Sequence, residues 1–126
     1  MLLLFLAILD IVLFTTCLFF PAAWFRVFHK APYIDPQGLL RRTGALWAAF
    51  ALLQLVALVR WRSQPYWLPL VAGVRLTEAF SDWVYLYAAS SITWFGRASL
   101  LISPPADVLF AWFLLASYRR LTQSQV

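Results

Sequence analysis

The chain has 126 residues, of which 63% are hydrophobic and 18% aromatic, and its formal net charge is +5. Its mean hydropathy of +0.78 excludes an ordinary soluble domain and a disordered chain, and its length allows one domain only. The single cysteine excludes an internal disulfide, a Cys-x-x-Cys redox centre and a thiolate metal cluster.

The first predicted membrane span covers residues 2–20 and stops at Pro21. It lacks a basic N-terminal region and carries Asp10 within its apolar run, so we expect a retained span and not a signal peptide. Residues 22–30 mix aromatic with basic side chains, a composition typical of a segment that lies in the membrane interface.

The second span is predicted at residues 36–60, with Asp35 as its N-cap and Pro36 as its first helical residue. Small residues along this span allow a neighbouring helix to approach closely. They are Gly44, Ala45, Ala48, Ala49 and Ala51. The third span is predicted at residues 66–89.

Residues 90–103 contain aromatic and basic side chains and are predicted to form a second interfacial segment before the fourth span, at residues 104–120. Ser103, Pro104 and Pro105 are expected to start that span. Because the connections are short, the chain is predicted to form an all-α, antiparallel four-helix transmembrane bundle that makes up a single domain, 1–126.

Basic residues near the ends of spans set membrane orientation. The side holding both termini has Arg60, Arg62, Arg119 and Arg120, and the opposite side has Arg26, Lys30, Arg41, Arg42 and Arg97. Arg41 and Arg42 lie within the second span, where they can serve either the protein interior or the lipid headgroups, and we leave them out of this count. The remaining count predicts that both termini face the cytoplasm, with anionic lipid and not nucleic acid as the partner of the basic residues.

Charged residues inside the spans are costly and need partners. Arg75, Glu78 and Asp82 lie at i, i+3 and i+7, on one face of the third span. At about 1.5 Å of rise per residue, Asp10, Gln54 and Arg75 lie at similar depths. We therefore predict an upper polar layer that joins these three side chains.

A second, lower layer is predicted to join Arg41 or Arg42 to three acids. These acids are Glu78, Asp82 and Asp107. The interior then holds four carboxylates against three guanidinium groups. Either one carboxylate is protonated, or the site holds a cation or a cationic ligand.

Simpler interpretations apply to several of these residues. Buried charges can lock helices in register without binding anything. Asp107 complements the dipole at the start of its helix, and Arg42 can extend to lipid headgroups. The aromatic residues Trp83 and Tyr87, with Tyr85, can serve as packing and interface groups or line a pocket for an apolar ligand.

The chain's one histidine and one cysteine cannot build a usual zinc, haem or copper site, and no phosphate-binding loop or nucleophile motif is present. We predict no cofactor and no metal. Carboxylates alone can perform acid–base chemistry. In that case Glu78 and Asp82 would be the catalytic pair, with Arg75 adjusting their protonation.

The arrangement of four short spans, an interfacial segment after the first and charges within the third resembles that of the small DoxX-type bacterial inner-membrane proteins. The resemblance covers most of the chain and is one of layout. It implies a bacterial inner-membrane location, and no functional residue is transferred from it.

Three functions remain in competition. The first is a non-enzymatic protein that binds a lipophilic molecule or a partner membrane subunit through its buried charge network. The second is an intramembrane isomerase or cyclase of an isoprenoid- or quinone-like substrate. The third is a proton- or cation-coupled transporter that works as an oligomer, because four helices alone enclose only a narrow path.

Overall fold

The computed structural model describes residues 1–123, and this part of the chain is all-α, as predicted. Its helices are α1 (Leu2–Phe19), α2 (Pro21–Phe28), α3 (Leu39–Arg60), α4 (Trp67–Ala88) and α5 (Trp94–Gln123). Within residues 1–123, three helices are long and apolar enough to cross a membrane, namely α1, α3 and α5. Helix α4 has the same 22-residue length and the same number of charged residues as α3, but its three lie in the middle of the helix, while those of α3 lie near its ends.

Helices α1 and α4 begin and end within one residue of their predicted spans. Pro21 separates α1 from α2, because proline lacks the backbone N–H that would continue α1 and is well suited to the first turn of a new helix. The first predicted interfacial segment is thus a helix of 8 residues.

Helix α3 begins at Leu39 and not at Pro36 as predicted. The Asp35 carboxylate accepts the backbone N–H of Leu39 at 2.8 Å and that of Leu40 at 2.9 Å. Gly38 adopts a left-handed conformation with φ of 68°, which a residue without Cβ reaches without strain. Asp35 therefore caps the helix from a turn before it, which places the helix start three residues later.

The predicted start of the fourth span, at residue 104, is wrong by ten residues, because α5 already begins at Trp94. Thr93 starts the helix, since its hydroxyl oxygen accepts the Gly96 backbone N–H at 3.0 Å. Pro104 and Pro105 lie inside the helix. They remove two helical N–H donors without ending it, as membrane helices tolerate.

A hydrophobic core lies between the four long helices. Its buried members are Leu3, Leu6, Ala57, Leu68, Val71, Ala72, Ala111 and Leu114. One helical turn from this core, each helix places a buried polar residue. These are Asp10 on α1, Gln54 on α3, Arg75 on α4 and Asp107 on α5.

The polar residue follows the core along α1 and α4 and precedes it along α3 and α5. This order is expected when successive long helices run in opposite directions. The same arrangement brings one polar residue from each long helix to a common level next to the core.

Close backbone approaches fix two of the helix contacts. A Cβ atom added to Gly44 of α3 would lie 3.1 Å from Cys17 Cβ on α1. A Cβ atom added to Gly96 of α5 would lie 2.5 Å from the carbonyl oxygen of Phe28 on α2. The predicted close approach along the second span is therefore confirmed at Gly44.

The end of α2 is tied to the connection between α4 and α5. Thr93 Oγ1 donates to the Val27 carbonyl at 2.6 Å. His29 places Nε2 at 3.0 Å from Tyr85 Oη and Nδ1 at 3.2 Å from the Ser91 carbonyl. The two predicted interfacial segments thus form one unit at this end of the molecule.

Candidate functional site

Arg75 is the centre of a buried network of charged side chains. Its Nη2 atom pairs with Asp10 Oδ2 of α1 and lies 2.7 Å from Glu78 Oε2, one turn further along α4. Its Nη1 atom lies 3.6 Å from Asp107 Oδ1 of α5. One guanidinium group therefore joins three helices.

Helix α3 contributes two uncharged donors to the same network. Gln54 Nε2 donates to Asp10 Oδ2 at 2.6 Å, and Trp47 Nε1 donates to Glu78 Oε1 at 2.9 Å. Gln54 and Trp47 lie seven residues apart, which is two helical turns, so they share a face of α3. All four long helices thus meet in one set of polar contacts.

The network is enclosed by protein. The side chains of Asp10 and Arg75 are 0% and 2% exposed, while those of Asp107 and Glu78 are 8% and 13% exposed. Glu78 is therefore the most accessible of its charged members, although most of its surface is also buried.

Hydrogen bonding within the network is incomplete. Within residues 1–123, three buried acceptor atoms, Asp10 Oδ1, Gln54 Oε1 and Glu78 Oε2, have no hydrogen-bond partner, and neither has the buried donor Arg75 Nε. Glu78 Oε2 is close to Arg75 Nη2 as an ion pair but not in the direction of its N–H bonds. The unsatisfied atoms are thus mainly acceptors.

Asp82 lies at the edge of this network. It is half-buried, one turn beyond Glu78 on α4. Ser103 Oγ donates to Asp107 Oδ2 at 3.4 Å and also lies near Asp82. Because a hydroxyl group has one proton, Ser103 can serve only one of these carboxylates at a time.

The upper layer predicted from sequence is confirmed, because Asp10, Gln54 and Arg75 are in direct contact. The separate lower layer is wrong, since Glu78 and Asp107 join the same arginine. The structure therefore forms one charge cluster in place of two.

Arg42 does not belong to the network, contrary to prediction. Arg41 and Arg42 are both exposed in the first turn of α3, and no ion pair among residues 1–123 involves either of them. Near the helix end their long side chains face outward, as arginines at span ends commonly do.

Sequence reasoning did not find Trp47 and Ser103. The available signals were their spacings, since Trp47 lies two turns from Gln54 and Ser103 lies four residues before Asp107. Within the described chain, no group of three or more His, Cys, Asp or Glu side chains is placed to hold a metal ion.

Two open grooves lie away from the network. The first, between α4 and α5, has a volume of about 570 Å³ and is lined by Trp83, Leu86, Tyr87, Arg97 and Leu101. The second, beside α2, has a volume of about 430 Å³, and its polar lining includes Arg26, His29, Lys30 and Tyr33. We call the first of these the α4–α5 groove.

The α4–α5 groove is lined by both apolar and charged side chains. Two aromatic and two aliphatic side chains form its walls, and the Arg97 guanidinium supplies one positive charge. Tyr87 is 96% exposed, so the groove opens to the surroundings of the protein. Comparison of the chain with protein-family models, characterised proteins and solved structures gave no match.

Proposed function

We propose that this chain is an integral membrane protein of four antiparallel transmembrane helices that binds an anionic amphiphile, such as a phospholipid, in the α4–α5 groove. In this proposal the Arg75 network is the polar anchor that holds the helices forming the groove. A bacterial inner-membrane location, implied by the resemblance to DoxX-type proteins, is part of the same proposal.

The closed Arg75 network supports the anchoring role. Breaking a buried ion pair by removing one partner leaves an unpaired charge in an apolar surrounding, which is strongly unfavourable. Since Arg75 contacts acids on α1, α4 and α5, separating any of these helices would produce such a charge. The network thus opposes helix separation within the membrane.

The α4–α5 groove is the observation that carries the ligand proposal. It has a volume of about 570 Å³ and is open along its aromatic side, where Tyr87 and Trp83 are exposed. The aromatic rings of Trp83 and Tyr87 offer broad apolar contact area, and Arg97 offers a fork of donors suited to a phosphate group. A phospholipid whose acyl chain lies along the aromatic wall and whose phosphate binds Arg97 would use both features.

Helix α4 completes the proposed set of four spans. Its 22 residues rise about 33 Å, which matches the hydrocarbon thickness of a bilayer. Two of its charged residues are in the network, and its remaining large apolar residues include the exposed Leu76, Phe80 and Val84. Burial of the charged face makes the helix compatible with a lipid environment.

The structure changes which basic residues count toward the membrane orientation. Because Arg41 and Arg42 are exposed, there is no reason to discount them, and the basic residues number five on the α2 side and four on the side of the termini. A difference of one charge gives the positive-inside rule no preference, so the prediction of cytoplasmic termini loses its basis.

Native mass spectrometry of the purified protein after lipid exchange tests the ligand proposal. We expect the wild type to retain phosphatidylglycerol in preference to phosphatidylcholine, and Arg97→Gln to abolish this preference. Arg119→Gln is the matched control, because Arg119 is an exposed arginine near the other end of the same helix. An equal loss in both variants would show general charge attraction and contradict a site at the groove.

An acid–base enzyme is the second candidate, and one observation favours it. Asp82 is half-buried, and Leu86 of the α4–α5 groove follows it by one helical turn on the same face. A substrate that extends from the groove by one helical turn along α4 would reach this carboxylate, and Glu78 lies one turn beyond it. Turnover of an isoprenoid or quinone-like substrate that is lost in Asp82→Asn but retained in Arg97→Gln would support the enzyme over the binder.

A further inference from the structure

The Arg75 network holds more negative than positive charge. Three helices contribute its charged groups: α1 contributes Asp10, α4 contributes Arg75 and Glu78, and α5 contributes Asp107. The groups that α3 contributes are uncharged. One guanidinium against three ionised carboxylates leaves a net charge of −2, and Asp82 at the edge adds a further acid. An uncompensated charge of this size is not stable in a buried, apolar setting.

The hydrogen bonds lead to the same conclusion as the charges, because unpaired acceptors outnumber unpaired donors in the network. The buried atoms without partners comprise three acceptors, on Asp10, Gln54 and Glu78, and one donor, on Arg75. These residues lie on three different helices. The network therefore lacks donors, and a protonated carboxyl group is a donor where an ionised one is only an acceptor.

Asp10 and Glu78 are the two carboxylates best placed to share a proton. Asp10 Oδ2 and Glu78 Oε2 both pair with the same nitrogen, Nη2 of Arg75, which brings the two carboxyl groups to the same side of the guanidinium. Two neighbouring carboxylates that cannot both remain charged characteristically hold one proton between them. Asp107 is bound to the other nitrogen, Nη1, and is further from the pair.

We propose that the Arg75 network is a proton-binding site in which Asp10 and Glu78 share a proton between α1 and α4. The proton is taken up as hydronium from the surrounding solution and forms an O–H bond on one carboxyl oxygen, which changes the net charge of the network from −2 to −1. It enters on the side of Glu78, the most exposed of the three acids.

Infrared spectroscopy of the lipid-reconstituted full chain tests this site, because a protonated carboxyl group has a carbonyl stretch distinct from that of a carboxylate. Glu78 is the only glutamate of the chain. Uniform ¹³C labelling of glutamate alone therefore assigns any shifted band to Glu78 without a mutation. With labelled aspartate, a shifted band that is lost in Asp10→Asn is assigned to Asp10.

At neutral pH we expect a protonated carboxyl band that shifts with one of these two labels. It should persist in Asp35→Asn, which changes an acid outside the network, and in both sodium and choline buffers. The absence of the band at neutral pH would overturn the proposal. A protonated band assigned to Asp82 or Asp107 alone would also overturn it. A band that sodium removes would overturn it by showing a cation site.

Glu78→Gln provides a second measurement, because glutamine resembles a protonated glutamate in shape and lacks the charge. If Asp10 and Glu78 share a proton, this variant should fold and leave Asp10 ionised, so the labelled-aspartate band is absent at neutral pH. A protonated aspartate band that is unchanged in Glu78→Gln would contradict sharing between Asp10 and Glu78. The result is independent of ligand binding in the α4–α5 groove.

Discussion

Trp47 of α3 donates its indole N–H to Glu78 of α4 at 2.9 Å, although the two residues lie 31 positions apart. This contact joins α3 to the acid that is also paired with Arg75. It therefore holds the most accessible carboxylate of the network in a defined position.

Replacing Trp47 by phenylalanine should destabilise the protein by about 1–3 kcal/mol, because it removes a hydrogen bond to a buried acid while keeping an aromatic ring. The measurement is the free energy of unfolding in mixed micelles, from titration with a denaturing detergent. Trp112→Phe is the control, since Trp112 is exposed and should change stability by less than about 0.5 kcal/mol. Equal effects of the two variants would show that ring size, not the N–H group, is responsible.

Replacing Arg75 by methionine should have a larger effect, a loss of about 3–5 kcal/mol in the same assay, because the buried acids lose their only paired cation. Arg42→Met, an equivalent change at an exposed arginine, should have little effect. If the loss results from unpaired acids, Asp10→Asn in the Arg75→Met background should recover part of it. Two independent, additive losses would contradict that explanation.

Two glycine-to-alanine substitutions should have opposite effects. Gly96→Ala should destabilise the junction of α2 with α5, because the new Cβ would lie 2.5 Å from the Phe28 carbonyl oxygen and 2.8 Å from Ile92 Cγ2. Gly73→Ala should stabilise the protein by about 0.5–1 kcal/mol, since nothing lies within 4 Å and alanine is the better helix former. Thermal unfolding of the two variants checks both signs. A neutral Gly96→Ala would show that α2 is not packed as described.

The carboxyl group of Asp35, between α2 and α3, should titrate at low pH. Desolvation acts to raise its pKa, but the backbone hydrogen bonds from Leu40 and Leu39 hold the pKa below its ordinary value of 3.8. A folded-state pKa that is lowered stabilises the fold above the ordinary pKa, and this contribution is lost as the pH falls through the folded value. Carbon NMR of the labelled Asp35 side chain measures the pKa directly.

The matched substitution for this prediction is Asp35→Ala, which should increase hydrogen exchange at the amides of Leu39 and Leu40 because both lose their acceptor. The amides at the start of α4 should not change. A pKa at or above 3.8, or unchanged exchange, would show that Asp35 does not cap α3.

The sequence determined the helical class and much of the polar interior. Long apolar runs between turns predicted helices, and α1 and α4 lie within one residue of the predicted bounds. The contact of Asp10 with Arg75 could also be predicted, because the constant rise of a helix converts residue number into depth and a buried charge requires a partner.

The tertiary structure alone decided which other groups complete the network. Depth along a helix does not specify how far the helix is rotated about its axis, so spacing could not show that Arg75 also reaches Asp107 or that Arg42 faces outward. The start of α5 was decided in the same way, because contacts of Thr93 and Gly96 with α2 extend the helix through a region that local composition predicts as interfacial. These features depend on contacts between residues far apart in the chain, and such contacts cannot be predicted from the local sequence pattern.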